Sequence, residues 1–392
     1  MGRGLKSWVS RTIHPAKPAA PDSEAPVRLS ERVTNKRNMS TELQPRVSIL
    51  TPVYNGAAHL AECIESVLRQ THSNWDYTIV NNCSSDDTLA IAQKYAAQDP
   101  RIRVVNNERF LRIIENHNHT IRQISPESKY CKFVFADDWL YASCVEEMVR
   151  VAEANSTVGL VGAFTMDGKE VLTTSPAIRG TICQPGPHPS CFVTGRELCR
   201  SELFGDGGYV LGTMTSLLLR CDLVRKRSVF FNEPHLHADH ESCFEVLKDS
   251  DFGFCQQVLS YTRPRPDSTS SFAEKFDAIP LGKLALFLKY GKELLNDEEY
   301  QRAQAKWRGE YYQFLGHNAL RLRSSWYWKY HKETLLAFGY RINPFLLTIA
   351  LIRDVFNHLL HPVNAFRRTR HWWFQAIERM SGHQRIDRQR AP

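Results

Sequence analysis

RVSILTPVYNGAAHLAECIESVLRQ, residues 46–70, decides the fold. Its first ten residues are a short apolar run closed by Pro and Asn, which predicts a buried strand. HLAECIESVLRQ then places Leu60, Ile64, Val67 and Leu68 on one helical face. The same unit recurs downstream. DYTIVNN predicts a second strand, and CSSDDTLAIAQKYAAQ a second helix capped by Ser85 or Asp86. RIRVVNN and FLRIIENHNHTIRQI follow as strand and helix, then KFVFADD as a fourth strand. Ser143 and Glu146 have the spacing of a capping box ahead of Val145, Met148, Val149 and Ala152, and VGLVGAF predicts a fifth strand.

Strand–helix alternation at this spacing predicts an α/β fold: a mostly parallel, Rossmann-like central sheet with helices on both faces. Ligands of such sheets bind beyond the carboxyl ends of the strands. The polar residues there are Tyr54 and Asn55, Asn81 and Asn82, Asp137 and Asp138. Residues 166–275 have a looser texture. GTMTSLLLR (212–220) and FGFCQQVLSYTR predict strands, and ADHESCFEVLKDS a short helix. From about residue 276 the chain is helical, basic and aromatic, and residues 1–45 read as a disordered tail without apolar period.

The formal net charge of +8 is uneven. Residues 1–46 hold nine Lys/Arg against four Asp/Glu, and residues 361–392 seven Arg against two acids. The body between them is slightly acidic, which argues against a nucleic-acid partner. The ten Cys show no CxxC or zinc-finger spacing, so they are expected as free thiols in a reducing, cytoplasmic compartment. No apolar h-region of a signal peptide is expected in residues 1–46. The longest apolar run, PFLLTIALI (344–352), is too short to span a bilayer.

TPVYN after the first strand, NNCSSDDT after the second, FADD after the fourth and ADHE at a late helix start stand in the order found in family 2 glycosyltransferases. Residues 46–270 resemble that family. The resemblance implies the GT-A fold and a nucleotide-sugar donor, with uracil first as its base (a UDP-sugar) and thymine and guanine as the alternatives, and inversion at the anomeric centre. It also implies a glycan or lipid-linked acceptor. On it, 46–165 would form the nucleotide-sugar half, 166–275 the acceptor half, and 276–392 a helical extension. A diphosphate leaving group calls for a divalent cation on hard oxygen ligands, Mn²⁺ or Mg²⁺. The resemblance assigns that cation to Asp138, with Asp137 on ribose or as a second metal contact. The family's first motif acid is here Phe135. Pro52 and Tyr54 would meet the base. Asn82 would accept from the base, where the family has an Asp, and Arg112 would approach the nucleotide. Asp239 would be the general base. Arg263 or Arg265 would clamp the diphosphate.

HLHADH, residues 235–240, supports a competing reading. His235, His237, Asp239 and His240 also fit the HxHxDH zinc motif of metallo-β-lactamase-like hydrolases. That motif belongs after an early strand, and here it falls late. Packing or helix-start hydrogen bonding is the plainer role for His237 and His240. A third reading, prompted by Phe135 and Asn82, is a degenerate family member that binds glycans without turnover. The Arg- and Trp-rich end, with Arg367, Arg368, Arg370, Trp372, Trp373 and Phe374, fits either a packed helical subdomain or peripheral binding to anionic membrane, at the inner face of the plasma membrane.

Overall fold

The computed structural model describes residues 44–168, 170–171, 190–205, 211–232, 238–264, 278–321 and 323–360. The expected tail, but for its last two residues, lies outside them, as do His235, His237, Arg265 and residues 361–392.

The sheet is built from β1 (Val47–Val53), β2 (Trp75–Asn81), β3 (Ile102–Asn106), β4 (Tyr130–Phe133), β5 (Trp139–Leu140), β6 (Val158–Asp167), β7 (Glu170–Val171), β8 (Ser190–Val193), β9 (Leu217–Arg220) and β10 (Asp251–Thr262). Their order is β3-β2-β1-β4-β9-β6-β10-β5, with β7 on β6 and β8 on β10. β3, β2, β1 and β4 pair in parallel. β9 runs antiparallel to both β4 and β6, and β6 pairs in parallel with β10. Six strands, β1, β2, β3, β4, β6 and β10, therefore share one direction, and the mostly parallel sheet expected from the alternation is present. It runs unbroken across residue 165.

The helices are α1 (Leu60–Leu68), α2 (Thr88–Ala96), α3 (Ile113–Ile121), α4 (Cys144–Ala154), α5 (Gly195–Phe204), α6 (Cys221–Arg225), α7 (Ala238–Leu247), α8 (Ala278–Leu294), α9 (Asp297–Leu320), α10 (Ser325–Ala337) and α11 (Pro344–Leu360). Strand side chains alternate between two cores, as a period of two requires. Val47, Ile49 and Leu218 face one core with Leu60, Ile64 and Met148 of the α1 and α4 layer. Leu50, Phe133 and Leu219 face the other, with Leu198, Phe244, Phe287, Trp307 and Leu335 of α5, α7, α8, α9 and α10. The C-terminal helices through α10 thus belong to the body's core.

Four local readings differ from the structure. The fourth strand ends at Phe133, so Asp137 and Asp138 lie in the turn into β5. Residues Met214–Ser216 form a 3-10 turn and only Leu217–Arg220 is strand. Ser143 is the N-cap but its side chain makes no cap bond, and the Glu146 carboxylate, which would complete the box, accepts from the Thr71 hydroxyl. The N-cap of α2 is Asp87, which makes no side-chain cap bond, while Asp86, one of the two residues read as caps, accepts from the Thr88 amide at 3.1 Å.

Candidate active site

The carboxyl ends of β1 and β2 are joined by side chains. Asn55 donates its amide to Ser84 Oγ at 2.9 Å and accepts from the Ser85 amide at 2.9 Å. Asp86 accepts from the Ala57 amide and the Thr88 hydroxyl. Partial burial pushes its carboxyl up, but these bonds more than offset it and hold the group below its ordinary value. Asn55 and Cys83 both have positive φ, 50° and 57°. Left-handed backbone at two non-glycine positions is held by the surrounding bonds. Gly56 is required by close approach: a Cβ there would meet Val53 Cγ2 at 2.6 Å.

Pro52 costs no ladder bond. The last β1–β4 pair is Leu50 with Phe133, and Pro52 lies one step beyond it on the same side, where no donor is needed. Tyr54 is exposed and meets Phe110 edge-on, with ring centroids 5.0 Å apart. Asn82 is buried and committed. Its oxygen accepts from the Leu111 amide and Asn107 Nδ2, each at 2.9 Å, and its Nδ2 donates to the Leu111 carbonyl at 2.8 Å. Both lone pairs are used, so Asn82 fixes the loop carrying Phe110 and Arg112 instead of offering an open acceptor. Arg112 is exposed at the start of α3, where Glu115 accepts from its amide at 3.3 Å.

The Asp pair is divided by its surroundings. Asp138 is 3% exposed and accepts from Thr215 Oγ1 at 2.6 Å and from the Arg263 amide at 3.1 Å. Thr215 is in turn held by Lys132, a fully buried lysine that donates to the Thr215 carbonyl at 2.6 Å. Burial pushes the Lys132 ammonium below its ordinary value. Asp137 is the more exposed of the two. Arg263 donates from Nε to the Asp137 carbonyl at 3.2 Å and pairs with Glu62 at 2.5 Å. Its guanidinium lies 5.3 Å from the Trp139 ring, which stacks on Tyr261 at 3.6 Å. The structure therefore gathers Asp137, Asp138 and Arg263 at one strand end. The hard carboxylates of that turn fit a cation bound mainly through substrate phosphates, which needs only one or two protein oxygens. Among the described residues no three His, Cys, Asp or Glu side chains group to hold a metal by themselves.

Phe135 links this turn to α3. His117 of α3 stacks on Phe135 at 5.3 Å and 27°. His117 feels the Asp239 carboxylate, yet burial prevails and lowers its imidazole to about 4. Asp239 and His240 open α7, with His240 Nδ1 3.4 Å from Asp239 Oδ1. The helix is held from behind. Glu241 is 2% exposed, pairs with Lys289 of α8, and accepts from Asn232 at 3.1 Å. Glu245 accepts from Tyr290 at 2.6 Å. Asn118 of α3 holds the bend at Phe231, donating to the Phe231 carbonyl at 2.7 Å and accepting from the Phe231 amide at 2.9 Å. Phe110, His117, Asn118, Thr215, Lys132 and Lys289 carried no distinct signal in the sequence. Of these, Phe110 and His117, the first residue and a mid-helix residue of the predicted third helix, are the aromatic types nearest to Arg112 in the chain.

Residues 48–217 match the family model for Glycosyl transferase family 2. EpsE of Bacillus subtilis (strain 168), a glycosyltransferase by its name, is 29% identical over 161 residues, 41% of this chain and 55% of EpsE. TuaG of the same organism, named for teichuronic acid biosynthesis, is 30% identical over 154 residues, 36% of this chain and 60% of TuaG. The chain thus spans a little over half the length of either relative. The crystal structure of S. aureus TarS 1-349 in complex with UDP-GlcNAc superposes with a TM-score of 0.56 at 16% identity, covering 80% of this chain and 89% of that one. That likeness is one of fold. With the strand-end loops, the divided Asp pair and the family match in place, residues 48–217 are those of a family 2 glycosyltransferase, and the chain is built on the GT-A fold.

Proposed function

We propose that this protein is an inverting transferase that moves a sugar, of hexose type, from a UDP-sugar to a hydroxyl of a glycan or lipid-linked acceptor. One observation carries the proposal. Phe135, two residues before Asp137, stacks on His117, and the Asp239 carboxylate acts electrostatically on that same His117, so a line from the Asp turn to the start of α7 passes this histidine. A donor lying along it would present its anomeric carbon between the leaving diphosphate and the base.

The base of the nucleotide would rest against Tyr54 and Phe110, on a wall fixed by Asn82, with Arg112 beside it. The geometry favours Asp137 over Asp138 for the cation, since Asp138 is buried and already holds Thr215 and the Arg263 amide. A bound Mn²⁺ or Mg²⁺ would supply charge neutralisation at the leaving diphosphate. Arg263 would hold the turn and meet phosphate by exchanging Glu62. Asp239 would take the acceptor's proton as the acceptor oxygen attacks from the opposite face. TarS, of the same fold, is seen with UDP-GlcNAc, and this supports a uridine donor. TuaG's name supports a polysaccharide acceptor.

We place the enzyme at an anionic membrane surface, on the cytoplasmic side. α11 turns Phe345, Ile349, Ile352, Phe356 and Leu359 outward, all exposed. The sequence beyond it supplies Arg and Trp. Among the described residues no helix is long and apolar enough to cross a membrane.

The test is Asp239→Asn, followed by release of UDP from UDP-N-acetylglucosamine. Turnover should fall by roughly 10²–10⁴-fold with UDP affinity kept. Near wild-type turnover would end the assignment of Asp239.

A further inference from the structure

One ion pair at the strand-end site joins two distant parts of the chain. Arg263, which follows β10, pairs through Nη2 with Oε2 of Glu62 in the first turn of α1, at 2.5 Å. The rest of Arg263 is tied to the Asp turn. Its amide donates to Asp138 Oδ1 at 3.1 Å, and its Nε donates to the Asp137 carbonyl at 3.2 Å. The guanidinium carbon lies 5.3 Å from the Trp139 ring centroid and 5.9 Å from that of Tyr261. The backbone, Nε and the two rings therefore fix where the guanidinium stands, and Glu62 takes only its Nη2 end.

The pair is placed to be exchanged. Half of the Glu62 side chain is exposed, and a quarter of that of Arg263. An exposed pair contributes little, because water competes for both charges. Among the described residues Arg263 is the one partner of the Glu62 carboxylate. A diphosphate carries more charge than one carboxylate and can accept guanidinium bonds in pairs. Asp137, whose carbonyl holds Arg263, is also the residue favoured above for the cation. Phosphates bridged by that cation would lie on the same turn as the guanidinium.

We propose that Glu62 stands in for the diphosphate in the empty site and sets how readily the nucleoside diphosphate product leaves. This rests on the strand-end cleft being the donor site. Arrival of the donor moves Arg263 Nη2 from Glu62 to a phosphate oxygen. When the sugar leaves, the electron pair of the broken bond stays on the terminal phosphate oxygen. The product is therefore the more strongly charged ligand and holds the guanidinium more tightly than the donor does. Glu62, carried on the start of α1, competes for the same nitrogen and returns to it as the diphosphate departs. It opposes the slow step that product release sets in many transferring enzymes. Glu62 is a positioning residue, since it touches neither donor nor acceptor.

The test is UDP and UMP affinity by calorimetry on the full-length protein at constant Mn²⁺, with UDP inhibition of UDP release from UDP-N-acetylglucosamine measured alongside. Glu62→Gln should tighten UDP binding roughly two- to fivefold, the worth of one exposed ion pair. Its inhibition constant for UDP should fall by the same factor, and UMP affinity should stay as in the wild type. In an Arg263→Gln background the gain should vanish. Glu62→Ala carries the same expectations, so a folding defect of one variant leaves the test standing. Unchanged or weakened UDP binding in Glu62→Gln overturns the exchange, weakening because the pair would then prepare Arg263 for phosphate. An equal gain for UMP overturns it too, since the effect would not lie at the terminal phosphate. So does a gain that persists with Arg263→Gln, because the carboxylate would then act by direct repulsion. If the wild-type protein binds no nucleoside diphosphate, the donor-site reading itself fails. If it binds UDP and Glu62→Gln binds it equally well, the exchange alone fails.

Discussion

Asp137 and Asp138 are adjacent, but the fold gives them separate surroundings. Asp138 is sealed between Thr215 and the Arg263 amide. Asp138→Ala should therefore lower the melting temperature of the ligand-free protein, because two polar partners lose their acceptor at about 1–3 kcal/mol each. Asp137→Asn should leave that temperature nearly unchanged and abolish the extra stabilisation that Mn²⁺ adds to UDP. Differential scanning in the four conditions separates them. A reversed pattern, with Asp138→Ala harmless to folding, would return the cation to Asp138. The sequence marked both acids because a carboxylate pair after an apolar run is conspicuous locally. It could not divide them, since Thr215 and Arg263 are distant along the chain. Asn82 behaves in the same way. Its type suggested an acceptor for a base, and only the folded position of Leu111 and Asn107 reveals that the acceptor is used.

At the scale of elements, α7 carries Asp239 at its start and is held from its buried side. Glu241 is paired with Lys289, and Glu245 with Tyr290, so α8 sets the pose of Asp239. Lys289→Met should leave the Glu241 carboxylate with Asn232 as its remaining described partner. About 1–3 kcal/mol of stability should be lost, discounted because Lys289 is partly solvated. Turnover should fall further than UDP affinity, because the lesion reaches the base end and spares the nucleotide end. Chemical denaturation and donor kinetics on one preparation check this, and an equal loss of both functions would contradict it. β1, β2, β3, α1 and α2 were legible from periodicity because each carries its pattern within a dozen residues. The 3-10 turn at Met214–Ser216 was not, since apolar Leu217, Leu218 and Leu219 beside it extend the look of a strand. The turn is imposed by Lys132 and Asp138, both far away in sequence.

At the scale of the whole molecule, the helices from α8 to α10 complete the core, while α11 offers an apolar outer face. Composition alone left packing and membrane binding side by side for this region, because amphipathic helices satisfy both. Ile352→Glu with Phe356→Glu should reduce flotation with anionic vesicles several-fold and leave UDP binding intact. Wild-type flotation should also weaken with salt. Flotation unaffected by the double substitution would mean that α11 does not meet the lipid. The central claim is that the strand-end cleft takes a nucleoside diphosphate with a divalent cation, and it needs no acceptor to be tested. The direct measurement is the melting temperature of the full-length protein with UDP, GDP, CDP or ADP, each with and without Mn²⁺. At 100 times its Kd a ligand adds about 2.7 kcal/mol, enough for a clear shift. The account predicts stabilisation by UDP above the others, larger with Mn²⁺ and lost in Asp137→Asn. No shift with any nucleotide, in the presence or absence of the cation, would contradict it.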